Sequence, residues 1–290
     1  MRMLMELHRP FQFLDAAADF TPYRVLIAPD DVPFTADLAA KVTRYLHDGG
    51  ALLLTHRAGL TPEGDRFALD VGVDYLGEAP HCPDYFVAGE TLPPALRAYN
   101  QVLYDRGSRV RCHAGATVLA SVGVPYFTRS HRRYMSHQHT PFDHVSEDPA
   151  VVHAGHVIYC HSPLFGAYRR HAVPYYRELV GALLDRLAPE HVLSAGDVPT
   201  TAEVSLLRQR QDDRAIVHVV HAVPQRRGEG VDVVEDVLPL YNVRIGVRMD
   251  RPATHVFLAP QGQTLPHETA DDVTWTTVPE IRGHQLVVFA

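Results

Sequence analysis

The chain has 290 residues, 46% of them hydrophobic and 21% charged, and its formal net charge is -7. This composition is typical of a soluble globular protein with one large domain or two ordinary ones. The acidic balance disfavours a nucleic-acid partner, because phosphate binding requires a basic surface. No run of about 18 apolar residues is present, so the sequence predicts no membrane span.

The three cysteines, Cys82, Cys112 and Cys160, form no CxxC pair. An odd and sparse set predicts neither a disulfide framework nor a thiolate metal site. The first ten residues carry charge and lack the apolar core of a signal peptide. These features favour a reducing compartment, and we expect the cytoplasm.

The first clear pattern is a strand, a helix and a second strand. Residues 23–28 form a short aliphatic run that predicts a buried strand. Thr35 is a candidate N-cap for a helix that Gly49 and Gly50 end. Residues 51–55 predict the next strand, so we expect a right-handed βαβ unit.

The middle of the chain is less regular. Residues 57–111 are rich in Pro and Gly and predict long loops with one or two short elements. A strand is predicted over residues 116–122, and a hairpin is predicted around Ala154-Gly155. Apolar residues at helical spacing predict one helix over about residues 171–187.

After about residue 190 the hydrophobic period changes to that of short strands. Six such runs, separated by turn residues, predict a small antiparallel β-sandwich: residues 202–207, 215–223, 243–249, 255–258, 273–278 and 285–289. We therefore expect one domain over residues 1–190 and a second over residues 191–290.

Several longer segments carry a family resemblance: DGGALLLTHRAGL (48–60), FALDVGVDYLGEAPHCPDY (67–85), PYFTRSHRRYMSHQHTP (125–141), GHVIYCHSPLF (155–165) and VHVVHAVPQRRGEGVDVVEDVLPLYNV (217–243). The chain resembles the region after the barrel in bacterial glycoside hydrolases related to family 42 β-galactosidases and to α-L-fucosidases. The resemblance implies a trimerisation domain with a class I glutamine amidotransferase-like fold, followed by a β-domain. That fold class is α/β, with a mostly parallel, flavodoxin-like sheet and helices on both faces. A homo-oligomer, by resemblance a trimer, and a glycosidase TIM barrel are the implied partners.

The chain departs from the complete enzymes of this group. Retaining glycosidases need two carboxylates roughly 5 Å apart at the ends of barrel strands, and nothing here supplies the eight βα units. No catalytic residue is carried over, and no cofactor is expected. The sequence also resembles a domain without its first strand, as a fragment of a longer enzyme would. We expect a non-catalytic oligomerisation or support region. The alternatives are a hydrolase that acts only within a larger polypeptide, and a stand-alone module that binds a small sugar.

An amidotransferase nucleophile is missing from its expected place. In active class I amidotransferases a Cys occupies the sharp turn after a central strand, and the matching turn here runs from Thr55 to Gly59 without one. Thr55 is a conceivable nucleophile, but the sequence places no base beside it. A degenerate fold that serves assembly is the favoured interpretation.

The richest polar cluster follows residues 125–127 and extends to Thr140. Within it the candidate substrate-binding residues are Arg132, Tyr134, His137 and His139, which offer donors and an aromatic rim to sugar hydroxyls. The alternatives are a loop that bonds within the domain or across an interface, and a metal pair of His137 and His139 on one face of a strand. A metal pair lacks a third ligand that the sequence can place, so no metal is predicted.

Two further surfaces are considered. The aromatic and Pro-rich residues 85–104 are predicted to provide an apolar oligomer interface. Trp275 is the single tryptophan. It is predicted to lie in a core or an interface, with a sugar platform as the alternative.

Overall fold

A computed structural model describes residues 1–196 and 198–290 of the chain. These residues form two compact units. One unit is formed by Leu14–Pro189, and the other combines Met1–Phe13 with Glu190–Ala290.

The elements up to residue 189 are α1 (Arg2–Glu6), β1 (Val25–Ala28), α2 (Ala36–His47), β2 (Ala51–Thr55), β3 (Val73–Glu78), β4 (Asp84–Ala88), a 3-10 turn (Pro94–Arg97), β5 (Gln101–Leu103), β6 (Ser108–Cys112), β7 (Thr117–Pro125), β8 (Phe142–Ala154), β9 (Val157–Cys160), α3 (Leu164–His171) and α4 (Pro174–Leu187). The later elements are β10 (Leu193–Ser194), β11 (Ala202–Gln209), β12 (Arg214–His221), β13 (Gln225–Gly228), β14 (Val231–Val233), β15 (Leu240–Arg248), β16 (Val256–Ala259), β17 (Gln263–Thr264), β18 (His267–Ala270), β19 (Val273–Ile281) and β20 (His284–Phe289).

The prediction of a flavodoxin-like, amidotransferase-like parallel sheet flanked by helices is wrong. About 40% of the residues lie in strands and 15% in helices, which is a mostly β structure. The main sheet of the unit Leu14–Pro189 has the order β1-β2-β9-β8-β7-β4-β5, and among its pairs only β1–β2 and β2–β9 are parallel. The physical reason lies in residues 57–111, which form strands β3 to β6 instead of long loops. Two of them, β4 and β5, extend the sheet with antiparallel pairs.

The predicted βαβ unit is confirmed. Thr35 caps α2, because its Oγ1 accepts a 3.3 Å hydrogen bond from the amide of Leu38. Gly49 follows the helix with a φ of +94°, a left-handed conformation that glycine adopts at little cost. Tyr45 of α2 shares an apolar core with Leu52 and Leu54 of β2. The helix therefore covers one face of the short parallel part of the sheet.

The predicted hairpin is also confirmed. Strands β8 and β9 pair in antiparallel register and are joined at Gly155, whose φ is +57°. The helix predicted over about residues 171–187 is confirmed as α4, which runs from Pro174 to Leu187. The preceding helix α3 was not predicted; Ala172 ends it with a left-handed φ of +50°, and Pro174 starts α4.

The second unit contains two antiparallel sheets with the orders β10-β15-β19-β18 and β11-β12-β20-β16-β17. Their apolar side chains form one core, which includes Val217, Ile245 and Phe289, each 0% exposed. The short helix α1 lies against β11. Strands β13 and β14 form a separate ribbon in the same unit.

Candidate functional site

The carboxyl ends of β1, β2 and β9 bring several polar side chains together. Thr55 Oγ1 donates a 2.7 Å hydrogen bond to Asp30 Oδ1. The same carboxylate accepts bonds of 3.3 and 2.6 Å from the amides of Phe165 and Gly166, at the start of α3. Because both oxygens of Asp30 accept hydrogen bonds, the carboxylate is held in place as an acceptor that links Thr55 to the start of α3.

The turn after β2 places His56 in the left-handed region, with a φ of +56°. Its Nδ1 lies 3.1 Å from Ser108 Oγ and its Nε2 lies 3.9 Å from Asp31 Oδ1. Burial lowers the pKa of His56. The order of serine, histidine and carboxylate resembles a nucleophilic triad. However, 3.9 Å is too long for the bond that would orient the ring, and Ser108 is only 2% exposed. The arrangement therefore acts as a buried polar contact.

His161 follows β9 and is completely buried. Neither of its ring nitrogens has a hydrogen-bond partner within the described residues. Burial, aided by the nearby positive charge of His56, lowers the pKa of His161 to about 4. The ring is therefore a neutral core side chain at physiological pH.

A pocket of about 110 Å³ lies between β4, β6, β7 and β8. Its polar lining consists of His81, Asp84, Ser108, Arg109, Ser146 and Asp148. Asp84 is 1% exposed, and neither of its carboxylate oxygens has a hydrogen-bond partner in the part of the chain that the structure describes. Burial raises the pKa of Asp84 well above its usual value. A buried carboxylate without partners is energetically costly, so this pocket is the strongest candidate for a binding site in the unit.

The four predicted site residues lie in the loop of residues 126–141, here called the arginine–histidine loop. Arg132, Tyr134 and His137 are exposed, and Tyr134 retains 74% of its accessible surface. His139 is half-buried, with its Nδ1 3.3 Å from the Tyr104 hydroxyl and its ring edge-on to Tyr85. The structure therefore keeps three of the four side chains in solvent and uses the fourth to anchor the loop.

The loop borders the pocket. His81, which lines the pocket, places its Nδ1 3.0 Å from Thr128 Oγ1 in the loop. The metal-pair alternative required His137 and His139 on one face of a strand, whereas both residues lie in a bend. Within residues 1–196 and 198–290, no group of three His, Cys, Asp or Glu side chains has an arrangement that would hold a metal ion.

Sequence reasoning missed Asp84. The available signal was a charged residue directly before the buried run Tyr85-Phe86. This signal does not specify a pocket, since the lining comes from four strands.

Trp275 is not an open platform. Its ring packs over Gly246 in the neighbouring strand, and Arg244 Cζ lies 4.3 Å from the ring centroid.

Among the helices in the described part of the chain, none is both long and apolar enough to cross a membrane.

Solved structures that resemble this chain include two glycoside hydrolases. α-L-Fucosidase isoenzyme 2 from Paenibacillus thiaminolyticus is 31% identical, with a TM-score of 0.92 over 99% of this chain and 44% of that chain. A β-galactosidase from the Antarctic haloarchaeon Halorubrum lacusprofundi is 14% identical, with a TM-score of 0.45 over 95% of this chain and 32% of that chain. This chain thus spans less than half the length of either protein. No curated protein matches the chain.

The family comparison covers most of the chain, including helix α1 and the whole of the unit Leu14–Pro189. It matches residues 2–189 to the β-galactosidase trimerisation domain of glycoside hydrolase family 42. The chain belongs to this trimerisation domain family.

Proposed function

We propose that this chain is a non-catalytic oligomerisation region of a glycoside hydrolase, that it self-associates as a homotrimer, and that it supports a glycosidase barrel. The observation that carries the proposal is the family match over residues 2–189. The likeness to an α-L-fucosidase along 99% of the chain supports the glycosidase context. Three free cysteines suit the reducing cytoplasm that we propose for the protein.

The residues predicted to form an apolar interface are only partly exposed. Tyr85, Phe86, Leu96 and Leu103 are at most 5% exposed and contribute to the unit's own core. The exposed residues between them include Pro93, Pro94, Ala95, Ala98 and Tyr99. An interface around residues 85–104 stays a prediction, with its large apolar side chains mostly buried.

The arginine–histidine loop is better suited to an interface. Tyr126 and Tyr134 are 71% and 74% exposed, and Arg129 Cζ lies 5.3 Å from the Tyr134 ring centroid. Tyrosine and arginine are enriched in the energetically dominant parts of protein interfaces, because they combine apolar area with hydrogen-bonding groups. We therefore place the self-association contact at this loop.

The first test measures the mass of the purified chain by light scattering, for the wild type and for a Tyr126→Ser/Tyr134→Ser variant. We expect a trimer for the wild type and a shift to monomer for the variant. The matched control is Tyr99→Ser, which removes an exposed tyrosine elsewhere in the unit. A wild type that is monomeric at all concentrations would contradict the assembly role. An equal loss with Tyr99→Ser would move the contact away from the loop.

The non-catalytic role is tested with a panel of aryl galactosides and fucosides. We expect no turnover by the purified chain. Turnover that a substitution within this chain abolishes would contradict the proposal.

A second candidate function is sugar binding by Arg132, Tyr134, His137 and His139. It is favoured by the exposure of three of these side chains in a loop that borders the pocket. Calorimetric titration with galactose and fucose distinguishes the two roles. Binding that is lost in Arg132→Gln/His137→Gln, with trimer mass unchanged, would favour the sugar site over the interface.

A further inference from the structure

The separate ribbon of the second unit is exposed along its whole length. Strands β13 and β14 pair with each other, and in the described part of the chain neither joins another sheet. Residues 224–238 are all exposed. We call residues 225–238 the valine-rich ribbon, since it carries five large hydrophobic side chains that are 38–53% exposed: Val231, Val233, Val234, Val237 and Leu238. An isolated two-stranded ribbon is marginally stable in water, so a partner surface would stabilise it.

The two faces of β14 differ in polarity. Val231 and Val233 are two residues apart in the strand, so their side chains lie on one face. Asp232 lies on the other face, opposite Arg226, whose Nε and Nη2 donate hydrogen bonds of 2.5 and 3.2 Å to its carboxylate. A cross-strand ion pair thus occupies one face and leaves the other apolar and open. Clustered apolar side chains on a surface are typical of sites that bind another protein.

The ribbon is also acidic, with four carboxylates and two arginines. Both arginines are paired within the ribbon, one with Asp232 and the other with Glu235. Glu229 and Asp236 are exposed, and within the described residues neither forms an ion pair. They leave the ribbon with an excess of negative charge beside its apolar side chains. Such a surface is complementary to a partner that is both basic and apolar.

The arginine–histidine loop has the opposite charge. Residues 126–141 contain three arginines and no carboxylate. Arg132 and Arg133 are exposed, and their side chains form no ion pair among the residues that the structure describes. Tyr126 and Tyr134 add exposed aromatic area. The loop therefore has the basic and apolar character that the ribbon lacks a partner for.

Symmetry restricts what the loop contacts in a trimer. A cyclic trimer repeats one contact between two different surfaces, so the loop of one copy needs another surface on the next copy. A contact between two copies of the loop would place arginines against arginines, and such like-charge contacts weaken binding. The valine-rich ribbon supplies the opposite charge together with exposed apolar area.

We propose that the valine-rich ribbon of one copy docks on the arginine–histidine loop of the next copy in the assembled protein. Glu229 and Asp236 then face Arg132 and Arg133, and the valines pack against the exposed tyrosines. This inference rests on the proposed self-association and identifies the second half of its contact.

The test exchanges the charges of the two surfaces and measures trimer dissociation by sedimentation. Arg132→Glu/Arg133→Glu and Glu229→Lys/Asp236→Lys should each raise the dissociation constant roughly tenfold or more, because like charges then face each other. The combination of all four changes restores opposite charges. Because the two sites are coupled, it should return the dissociation constant to within about threefold of the wild-type value.

A matched control separates pairing from net charge. Glu63→Lys/Glu203→Lys reverses two exposed carboxylates outside the ribbon, with the same change in net charge as the ribbon variant. It should leave the dissociation constant unchanged and should not rescue Arg132→Glu/Arg133→Glu. Rescue by this control would show that net charge governs assembly, and it would overturn the inference.

The apolar part of the contact is tested separately. Val231→Ser/Val233→Ser should also raise the dissociation constant roughly tenfold, because it removes the apolar area that the contact buries. Leu207→Ser/Val220→Ser is the control, since it changes two exposed apolar side chains of the same unit outside the ribbon. Thermal unfolding of each variant checks that the fold is retained.

The outcomes separate this inference from the proposed function. A trimer that the ribbon variants leave intact would overturn the inference while the assembly role stands. Loss of the trimer in the ribbon variants but not in Arg132→Glu/Arg133→Glu would show that the ribbon contacts another surface, and it would also overturn the inference. A wild type that is monomeric at all concentrations would contradict both.

Discussion

The Thr55 hydroxyl donates a 2.7 Å hydrogen bond to Asp30 Oδ1, and the backbone amide of Asp30 donates one of 2.7 Å to Thr55 Oγ1. This reciprocal pair joins the ends of the parallel strands β1 and β2. The Asp30 carboxylate also accepts hydrogen bonds from the amides of Phe165 and Gly166 at the start of α3, where negative charge is favoured. The turn that would hold an amidotransferase nucleophile therefore serves as a structural joint, that is, a hydrogen-bonded connection between the ends of β1 and β2.

Thr55→Val should destabilise the protein by about 1–3 kcal/mol, because it leaves buried hydrogen-bonding groups without their partner at almost unchanged volume. Thr55→Ser should retain most of the stability. The free energy of unfolding in urea measures both. Thr61→Val is the control, since the Thr61 hydroxyl also bonds a carboxylate, that of Asp65, but in solvent. Equal losses for Thr55→Val and Thr61→Val would contradict the structural joint.

Because the buried ring of His161 is neutral, we expect the folded protein to lose stability in acid. The unfolded chain takes up a proton at the usual histidine pKa of 6.5, whereas the folded protein does so only at about 4. Since the unfolded state binds the proton first, the free energy of unfolding falls as the pH drops from 6.5 to 4. The shift corresponds to about 3 kcal/mol, at roughly 1.4 kcal/mol per pKa unit.

The measurement is a series of urea unfolding curves between pH 7 and pH 4. His161→Leu should flatten the acid loss by that amount, because an apolar side chain takes the place of a buried ring that must remain neutral. His47→Leu, which changes a side chain with 89% exposure, is the matched control. A wild type and a His161→Leu variant with parallel pH profiles would show that His161 titrates normally.

The position of Gly246 in the second unit leaves no room for a larger side chain. A Cβ atom at this position would lie 2.6 Å from the ring of Trp275, its cross-strand neighbour. Gly246→Ala should therefore displace the ring and cost about 1–3 kcal/mol. As Trp275 is the only tryptophan, its fluorescence reports the displacement directly. Gly228→Ala is the control, because a Cβ there makes only an ordinary contact of 3.9 Å. An unchanged emission spectrum in Gly246→Ala would contradict the close packing.

The elements that the sequence predicted well are those with local signals. Helix α2 has a cap at Thr35 and a stop at Gly49, and strand β2 is an unbroken aliphatic run. Strands β4 and β6 lack such signals. Each depends on partners far along the chain, with β4 pairing to β7 and β6 to β3. Since pairing across a sheet is a tertiary property, propensity and pattern do not reveal it.

The same reason limits prediction of the site. The arginine–histidine loop was found because its residue types are unusual in one short stretch. Asp84 was missed because its significance arises from burial without partners, and its pocket is lined from four strands. Such a property depends on the fold and cannot be derived from residue type or spacing.

The base of the arginine–histidine loop supplies the last prediction. The Tyr85 hydroxyl donates to the Thr140 carbonyl at 2.5 Å, and Thr140 Oγ1 donates to the Phe127 carbonyl at 2.6 Å. Tyr85→Phe should leave a buried carbonyl unpaired and lower the free energy of local opening by about 1–3 kcal/mol. Trypsin should then cleave after Arg129, Arg132 and Arg133 roughly ten times faster or more, because cleavage follows the population of the open loop.

Tyr175→Phe is the matched control, as it removes a 2.7 Å bond from a buried tyrosine to the Leu96 carbonyl in the same unit. If Tyr175→Phe accelerates cleavage in the loop as much as Tyr85→Phe does, the loop opens with the whole unit and is not held by its own anchor.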